Sequence, residues 1–308
     1  MKKEITEGLE RIVGRASSNS IAQSPGIAAL LTGVGKLQAT LNEHRLGPDA
    51  PLAKAEFKVF SQYGDDGIIQ HLIHHINLPR RHQVFVEFGV EDYQESNTRF
   101  LLVNDNWRGL IIDGSEVNMN SVQNSDLHWK YDLTAIAMFI NRDNINDIIK
   151  NAGISGPIGI LSVDIDGNDY WVWESIDVVD PTIVIAEFNS VFGDERTITI
   201  PYDPSFVRQQ ANDPHLYYGA SLAALCHLAQ SKGYAFIGCN TAGNNCYFVK
   251  RDRLGKIKEL SVKEGYVESR FSECVRSGSS IRIRREERLE SIRGLPVVDV
   301  LTGETVEL

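Results

Sequence analysis

The chain has 308 residues, 42% of them hydrophobic and 23% charged, enough for one large α/β domain or two smaller ones around a substantial core. Thirty-one Lys+Arg against 41 Asp+Glu leave a net charge of -10, which excludes non-specific attraction to nucleic acid or to an anionic membrane except through a local basic patch. The one dense patch, RIRREER at 282–288, is interleaved with acids and reads as a solvated helix face.

At the N-terminus, MKKEITEGLERIVGR alternates charges where a secretory apolar segment would lie, and IAALLTGV is too short to span a bilayer. A soluble, cytoplasmic protein is expected. Residues 1–52 form a helical arm in this reading: a charged amphipathic helix, a Ser/Gly/Pro break, a second helix from Ile27 to about Asn42, and a linker. The arm either caps the main domain, residues 53–308, or pairs two copies of the chain.

Beyond the arm, short apolar runs alternate with helical patterns. VFVEF (84–88), GLIID (109–113), GILSVDI (159–165) and TIVIAEF (182–188) are β-rich and end at or beside an acid. Helical spacing marks 65–76, 97–105, 133–153 and 220–233, and two late strands follow in GYAFIGCN and NNCYFVK. Strands that are apolar throughout, with no polar alternation, are covered on both faces, which implies a mostly parallel, doubly wound α/β sheet. His71, His74 and His75 share the helix 65–76 without a partner acid and read as surface histidines. Four cysteines, Cys226, Cys239, Cys246 and Cys274, make no metal or disulfide pattern.

In a doubly wound sheet, ligands bind outside the carboxyl ends of the strands. Glu87 closes the first core strand and Asp113 the second, a spacing close to the roughly 20 residues between a glycine turn and a ribose-binding acid. The first loop, EFGVEDYQES, has one glycine, Gly89, where a pyrophosphate cradle needs three. The pair therefore suits a nucleoside-bearing cofactor without a pyrophosphate, such as S-adenosylmethionine. Further along, Asp164 and Asp166 are two apart on an extended run, as are Glu187 and Asn189, so that four oxygen-bearing side chains converge if the strands are neighbours. Hard oxygen ligands of this kind suit Mg²⁺, Mn²⁺ or Ca²⁺; helix capping or direct substrate binding would use the same residues. Asp166, Asp169 and His215 are the candidate proton acceptors. Trp171 and Trp173 have core spacing, and Tyr217, Tyr218 and Asn245 are placed where an acceptor pocket would lie.

FSQYGDDGII, FVEFGVEDYQESNTRFLL, WRGLIIDGSE, ILSVDIDGNDYWVWESI, IVIAEFNSVFG and IRGLPVVDV, in that order from about Phe60 to the C-terminus, resemble a bacterial branch of the class I S-adenosylmethionine-dependent methyltransferases near the FkbM-type group. The resemblance implies a seven-stranded Rossmann-like sheet, with the Glu87/Gly89 loop facing the methionine part of the cofactor and Asp113 on the ribose. It also implies that Asn97 and Ser115 border the cofactor, that Asp132 lies near the adenine, and that Gln62 and Asp65 lie over it. Related macrocin-type sugar O-methyltransferases hold a divalent ion with carboxylates at the fourth and fifth strand ends, which implies Asp164, Glu187 and Asn189 as ligands and Mg²⁺ or Mn²⁺ as the ion. Glu91 and Asp92 stand where glycines are common in such loops. The expected acceptor is a sugar hydroxyl or another small molecule, with no nucleic acid partner. Two other classes stay open on the residues: a glycosyltransferase using Asp164-Ile165-Asp166 on a nucleotide-sugar diphosphate, and a catalytically silent cofactor-binding protein.

Overall fold

The computed structural model describes residues 25–269, 273–276, 279–283 and 285–308. The amphipathic helix expected at residues 1–15 lies outside them. Seven strands form the main sheet: β1 (Val84–Phe88), β2 (Arg108–Asp113), β3 (Leu133–Ala137), β4 (Gly156–Val163), β5 (Val179–Glu187), β7 (Tyr234–Cys239) and β8 (Asn245–Lys250), in the order β3-β2-β1-β4-β5-β8-β7. The five strands from β3 to β5 are parallel, and β8 runs antiparallel to both β5 and β7. This is a Rossmann-like, doubly wound sheet whose order reverses between β1 and β4, where a ligand crevice opens. β6 (Ile198–Thr199), β11 (Pro296–Asp299) and β12 (Thr305–Glu307) make a small second sheet, and β9 (Glu273–Arg276) pairs with β10 (Ser279–Arg282).

Period-two alternation divides the strand residues between two apolar layers: Val84, Val86 and Phe88 of β1 enter one, and Phe85 enters the other. Helices α1 (Pro25–Arg45), α2 (Asp65–His75), α3 (Arg99–Asp105), α4 (Glu116–Gln123), α5 (Ile145–Asn151), α6 (Asp169–Ser175) and α7 (Leu222–Ser231) follow in chain order. α5, α6 and α7 cover the first layer, through residues such as Ile145, Val172 and Leu225. α2, α3 and α4 cover the other, through Ile68, Leu101 and Met119.

Residues 133–153 carry helical spacing, yet they form β3 and then α5. The edge position explains this: Thr134 is exposed, so β3 lacks the unbroken apolarity of its neighbours. The second helix of the arm, α1, lies against α2 and α3, and it buries Asn42, whose Nδ2 donates to the Ala55 carbonyl at 2.8 Å. Its outer side shows Leu30, Val34, Leu37 and Leu41, all exposed. Among the described residues, no helix is long and apolar enough to cross a membrane.

Of the α2 histidines, His74 is exposed as the surface reading expects, whereas His71 departs from it. His71 is buried, with the His75 ring 4.6 Å away. Burial, and then the neighbouring His75 and His74, push its pKa down to about 4. The unfolded chain takes up this proton near the ordinary value of ~6.5, so stability is lost as pH falls from ~6.5 toward ~4, by about 2–3 kcal/mol for this group. His71→Gln should flatten that part of a urea-denaturation profile measured against pH; an unchanged acid limb would contradict the assignment.

Candidate active site

A cavity of about 730 Å³ opens at the carboxyl ends of β1, β2, β4 and β5. Its lining includes Gln62, Glu87, Gly89, Asn97, Asp113, Ser115, Asp164, Asp166, Glu187 and Asn245. Asp65, Asp132, Asp169, Asn189 and His215 are not on its wall.

Gly89 follows β1 with φ +69, and a Cβ there would come within 1.6 Å of the Asp164 carbonyl oxygen. The glycine lets the chain leaving β1 pass directly against the chain leaving β4. Glu87 is buried, and its carboxylate organises the loop that follows. It accepts from Ser96 Oγ at 2.6 Å, from the Asn97 amide at 2.8 Å, and from the Thr98 amide and hydroxyl. Burial pushes its pKa up, opposed by those donors. Glu87 thus positions Asn97, whose Nδ2 donates to Ser162 Oγ at 3.1 Å. Three of the four donors meet Oε2, and Oε1 takes the Asn97 amide.

Asp113 ends β2. Its Oδ1 accepts from the Ser115 amide and its Oδ2 from the Glu91 amide, both at 2.8 Å. Each carboxylate oxygen keeps one further lone pair, so the group can still receive a diol. Ser115 caps α4 through its hydroxyl. Where Asp132 was expected near an adenine, Met138, Phe139 and Ile140 line the wall, and Asp132 is exposed outside it. Asp65 is fully buried below the cavity: its Oδ1 accepts from Asn240 and Asn245 at 2.9 and 3.1 Å and from the Tyr247 hydroxyl. It ties α2 to the β7–β8 hairpin, and its buried Oδ2 has no partner among the described residues.

The acids at the ends of β4 and β5 come together, though not by strand alternation. β4 stops at Val163, and Asp166 sits in a left-handed turn with φ +55. One oxygen from each of Asp164, Asp166 and Glu187 lies within 4.8 Å of the other two, close enough to hold a cation. Asn189 does not join them. Its Oδ1 accepts from the Val191 amide, and its Nδ2 donates to the carbonyls of Leu216 and Tyr218, so the expected ligand is a structural brace. Asp164 hydrogen-bonds to Glu187, and burial, then neighbouring carboxylates, push both pKa values well above the ordinary range. Asp169 is likewise internal: it accepts from the amides of Ile165 and Gly167 at 2.8 and 2.9 Å, and burial raises it to about 6. It shapes the turn and does not reach the cavity.

Two buried acceptors on this wall have no partner among the described residues: Glu187 Oε2 and Asn245 Oδ1. The two residues are paired across β5 and β8, so both orphans lie at one place on the sheet edge. Unpartnered buried acceptors are uncommon in folded proteins, which marks this end of the sheet as a candidate binding place.

Sequence reasoning did not find Arg208. It pairs with Asp166, donates Nε to the His215 carbonyl at 2.9 Å, and lies 3.6 Å over the Tyr218 ring. His215 contributes that carbonyl from a left-handed backbone conformation, φ +54. Phe206, Val207 and Gln209 line the cavity beside Arg208. This segment has no periodicity, and the only signal it offered was an arginine among polar loop residues.

No protein-family model matches the chain, and no curated protein matches it in sequence. Among solved structures it is similar to the N-terminal domain of EvdMO1 with SAH bound, at 11% identity over 70% of this chain and 94% of that one, TM-score 0.39. It is also similar to an S-adenosylmethionine-dependent methyltransferase from Clostridium acetobutylicum, at 10% identity over 60% and 90% of the two chains, TM-score 0.38. An O-methyltransferase from Bacillus cereus in complex with SAH gives 12% identity over 58% and 84%, TM-score 0.33. The fold assignment rests on the strand order and not on these overlaps.

Proposed function

We propose that the protein is an S-adenosylmethionine-dependent methyltransferase acting on a hydroxyl of a carbohydrate or similar small molecule. The observation that carries this reading is the excess of acids over bases on the cavity wall. Glu87, Glu91, Glu95, Asp113, Asp164, Asp166 and Glu187 line it, and among the described residues Arg208 is the one base on its wall. Such a field suits a ligand carrying a positive charge and disfavours a diphosphate, which normally needs arginines, lysines or a glycine cradle. A nucleoside linked to a cationic sulfur matches both the charge and the ribose-type acid at Asp113.

When bound, the cofactor supplies a methyl group on that sulfur. The chain's own task is to hold donor and acceptor together and to remove a proton. Asp113 is placed to accept from a ribose diol, with Gly89, Ser115 and the apolar 138–140 wall around the nucleoside. The unpartnered Glu187 Oε2 and Asn245 Oδ1 would accept from hydroxyls of the substrate. Glu187, with Asp164 bonded to it, is the residue best placed to receive the proton released as the new O–C bond forms. These two acceptors support the reading of a hydroxyl-bearing molecule, which would supply donors to them.

The test is calorimetric. S-adenosylmethionine should bind and a UDP-sugar should not, and Asp113→Ala should weaken cofactor binding by about 1.5–3 kcal/mol, the range for hydrogen bonds to a charged group. An unchanged affinity in a folded Asp113→Ala protein would remove Asp113 from the site. Binding of the UDP-sugar in place of S-adenosylmethionine would overturn the functional reading itself.

A further inference from the structure

We propose that Arg208 is the built-in cation of the acceptor site, standing where the resemblance puts a divalent ion, so that the acid cluster works without a metal. The inference rests on reading this end of the cavity as the acceptor site. Three observations carry it. Among the described residues Asp166 is one of three acids close enough to share an ion, and its carboxylate is paired with the Arg208 guanidinium. Asn189, the third ligand that the resemblance implies beside Asp164 and Glu187, has both side-chain ends bonded to backbone groups. Arg208 itself is fixed on three sides, by Asp166, by the His215 carbonyl and by the face of Tyr218.

The segment that bears Arg208 is anchored on the same turn that carries the acids. Asn168 Nδ2 donates to the Asp203 carbonyl at 2.7 Å. Phe206 packs so closely on Gly167 that a Cβ there would come within 2.3 Å of its ring. Mg²⁺ or Mn²⁺ asks for about six oxygen ligands. With Asp166 held by Arg208, Asp164 and Glu187 remain, and an ion bound to them would sit beside a guanidinium. It would have to break the Asp166 pair and face that repulsion. Arg208 is thus a positioning residue: it holds Asp166 in its turn and offsets the charge of the cluster, leaving Glu187 and Asp164 to deal with the acceptor proton.

The experiment uses the full chain stripped with EDTA and titrated with Mn²⁺ alone, followed by electron paramagnetic resonance. Wild-type protein should show no stoichiometric Mn²⁺ binding below about 1 mM, and Arg208→Gln should bind Mn²⁺ at least ~10-fold more tightly, since one positive charge a few ångströms from the ion is gone. Arg208→Lys, which keeps the charge, should stay metal-free and guards against misfolding of the neutral variant. Adding Glu187→Gln to Arg208→Gln should abolish the gained binding. Micromolar Mn²⁺ binding by the wild type, or Arg208→Gln indistinguishable from it, would overturn the proposal. The Mn²⁺ readout needs no methyl transfer, so failure of the cofactor titration would sink the functional reading and leave this result standing.

Discussion

Gly89→Ala is expected to destabilise the protein by about 3–5 kcal/mol, combining the strain of a left-handed backbone with main-chain overlap that no rotamer can relieve. The added Cβ would lie 1.6 Å from the Asp164 carbonyl oxygen, and backbone cannot swing aside as a side chain does. The Gly89 amide also donates to the Ile112 carbonyl at 3.0 Å, so pushing the residue away from β4 weakens its hold on β2. The strand ends that would separate are those that carry Asp113 and Asp164, on the two sides of the cavity. Cofactor affinity should therefore fall together with stability. Urea denaturation and calorimetry on the same preparation check both, and a loss below about 1 kcal/mol would show that the two strand ends can part easily.

The strands were legible where both faces are buried, because unbroken apolarity leaves few alternatives: β1, β2, β4 and β5 lie within two or three residues of their expected bounds. β3 was not, because an edge strand with an exposed Thr134 runs on into Met138, Phe139 and Ile140, and together these mimic helical spacing. The positions of the acids were legible, since strand ends are where a doubly wound sheet keeps its ligands. Their roles were harder to read. Asp169 and Asn189 look like ligands in one dimension, but tertiary structure gives both of their side-chain ends backbone partners, and Asp65 turns one oxygen to Asn240, Asn245 and Tyr247. Arg208 opens a four-residue helix, Arg208–Ala211, and meets Asp166 from 42 residues away, a contact that no local pattern encodes. The cavity wall also carries two non-glycine residues in left-handed conformations, Glu91 and Asp166, which places backbone strain where function is expected.

Glu87 answers a different question from the one its position raises. A carboxylate at the end of β1, opposite Ile111 of β2 and Ser162 of β4, would seem ideally placed to touch a ligand. Four donors from Ser96, Asn97 and Thr98 converge on it instead, so its work is to fold the 89–98 loop back over the sheet. Glu87→Ala removes the shared acceptor and leaves those donors buried without partners, for which a loss of about 3–5 kcal/mol is expected, the scale for breaking a buried charged network. Glu87→Gln is the sharper variant. It keeps the size of the side chain but turns an amide donor toward hydroxyl and amide donors, so it should cost about 2–3 kcal/mol even though no cavity is made. In both variants Asn97 loses its backbone anchor, and S-adenosylmethionine affinity should weaken although Glu87 itself need not touch the cofactor. If Glu87→Gln kept full stability while cofactor binding alone collapsed, Glu87 would be a direct ligand after all, and the loop would have to be held by something else.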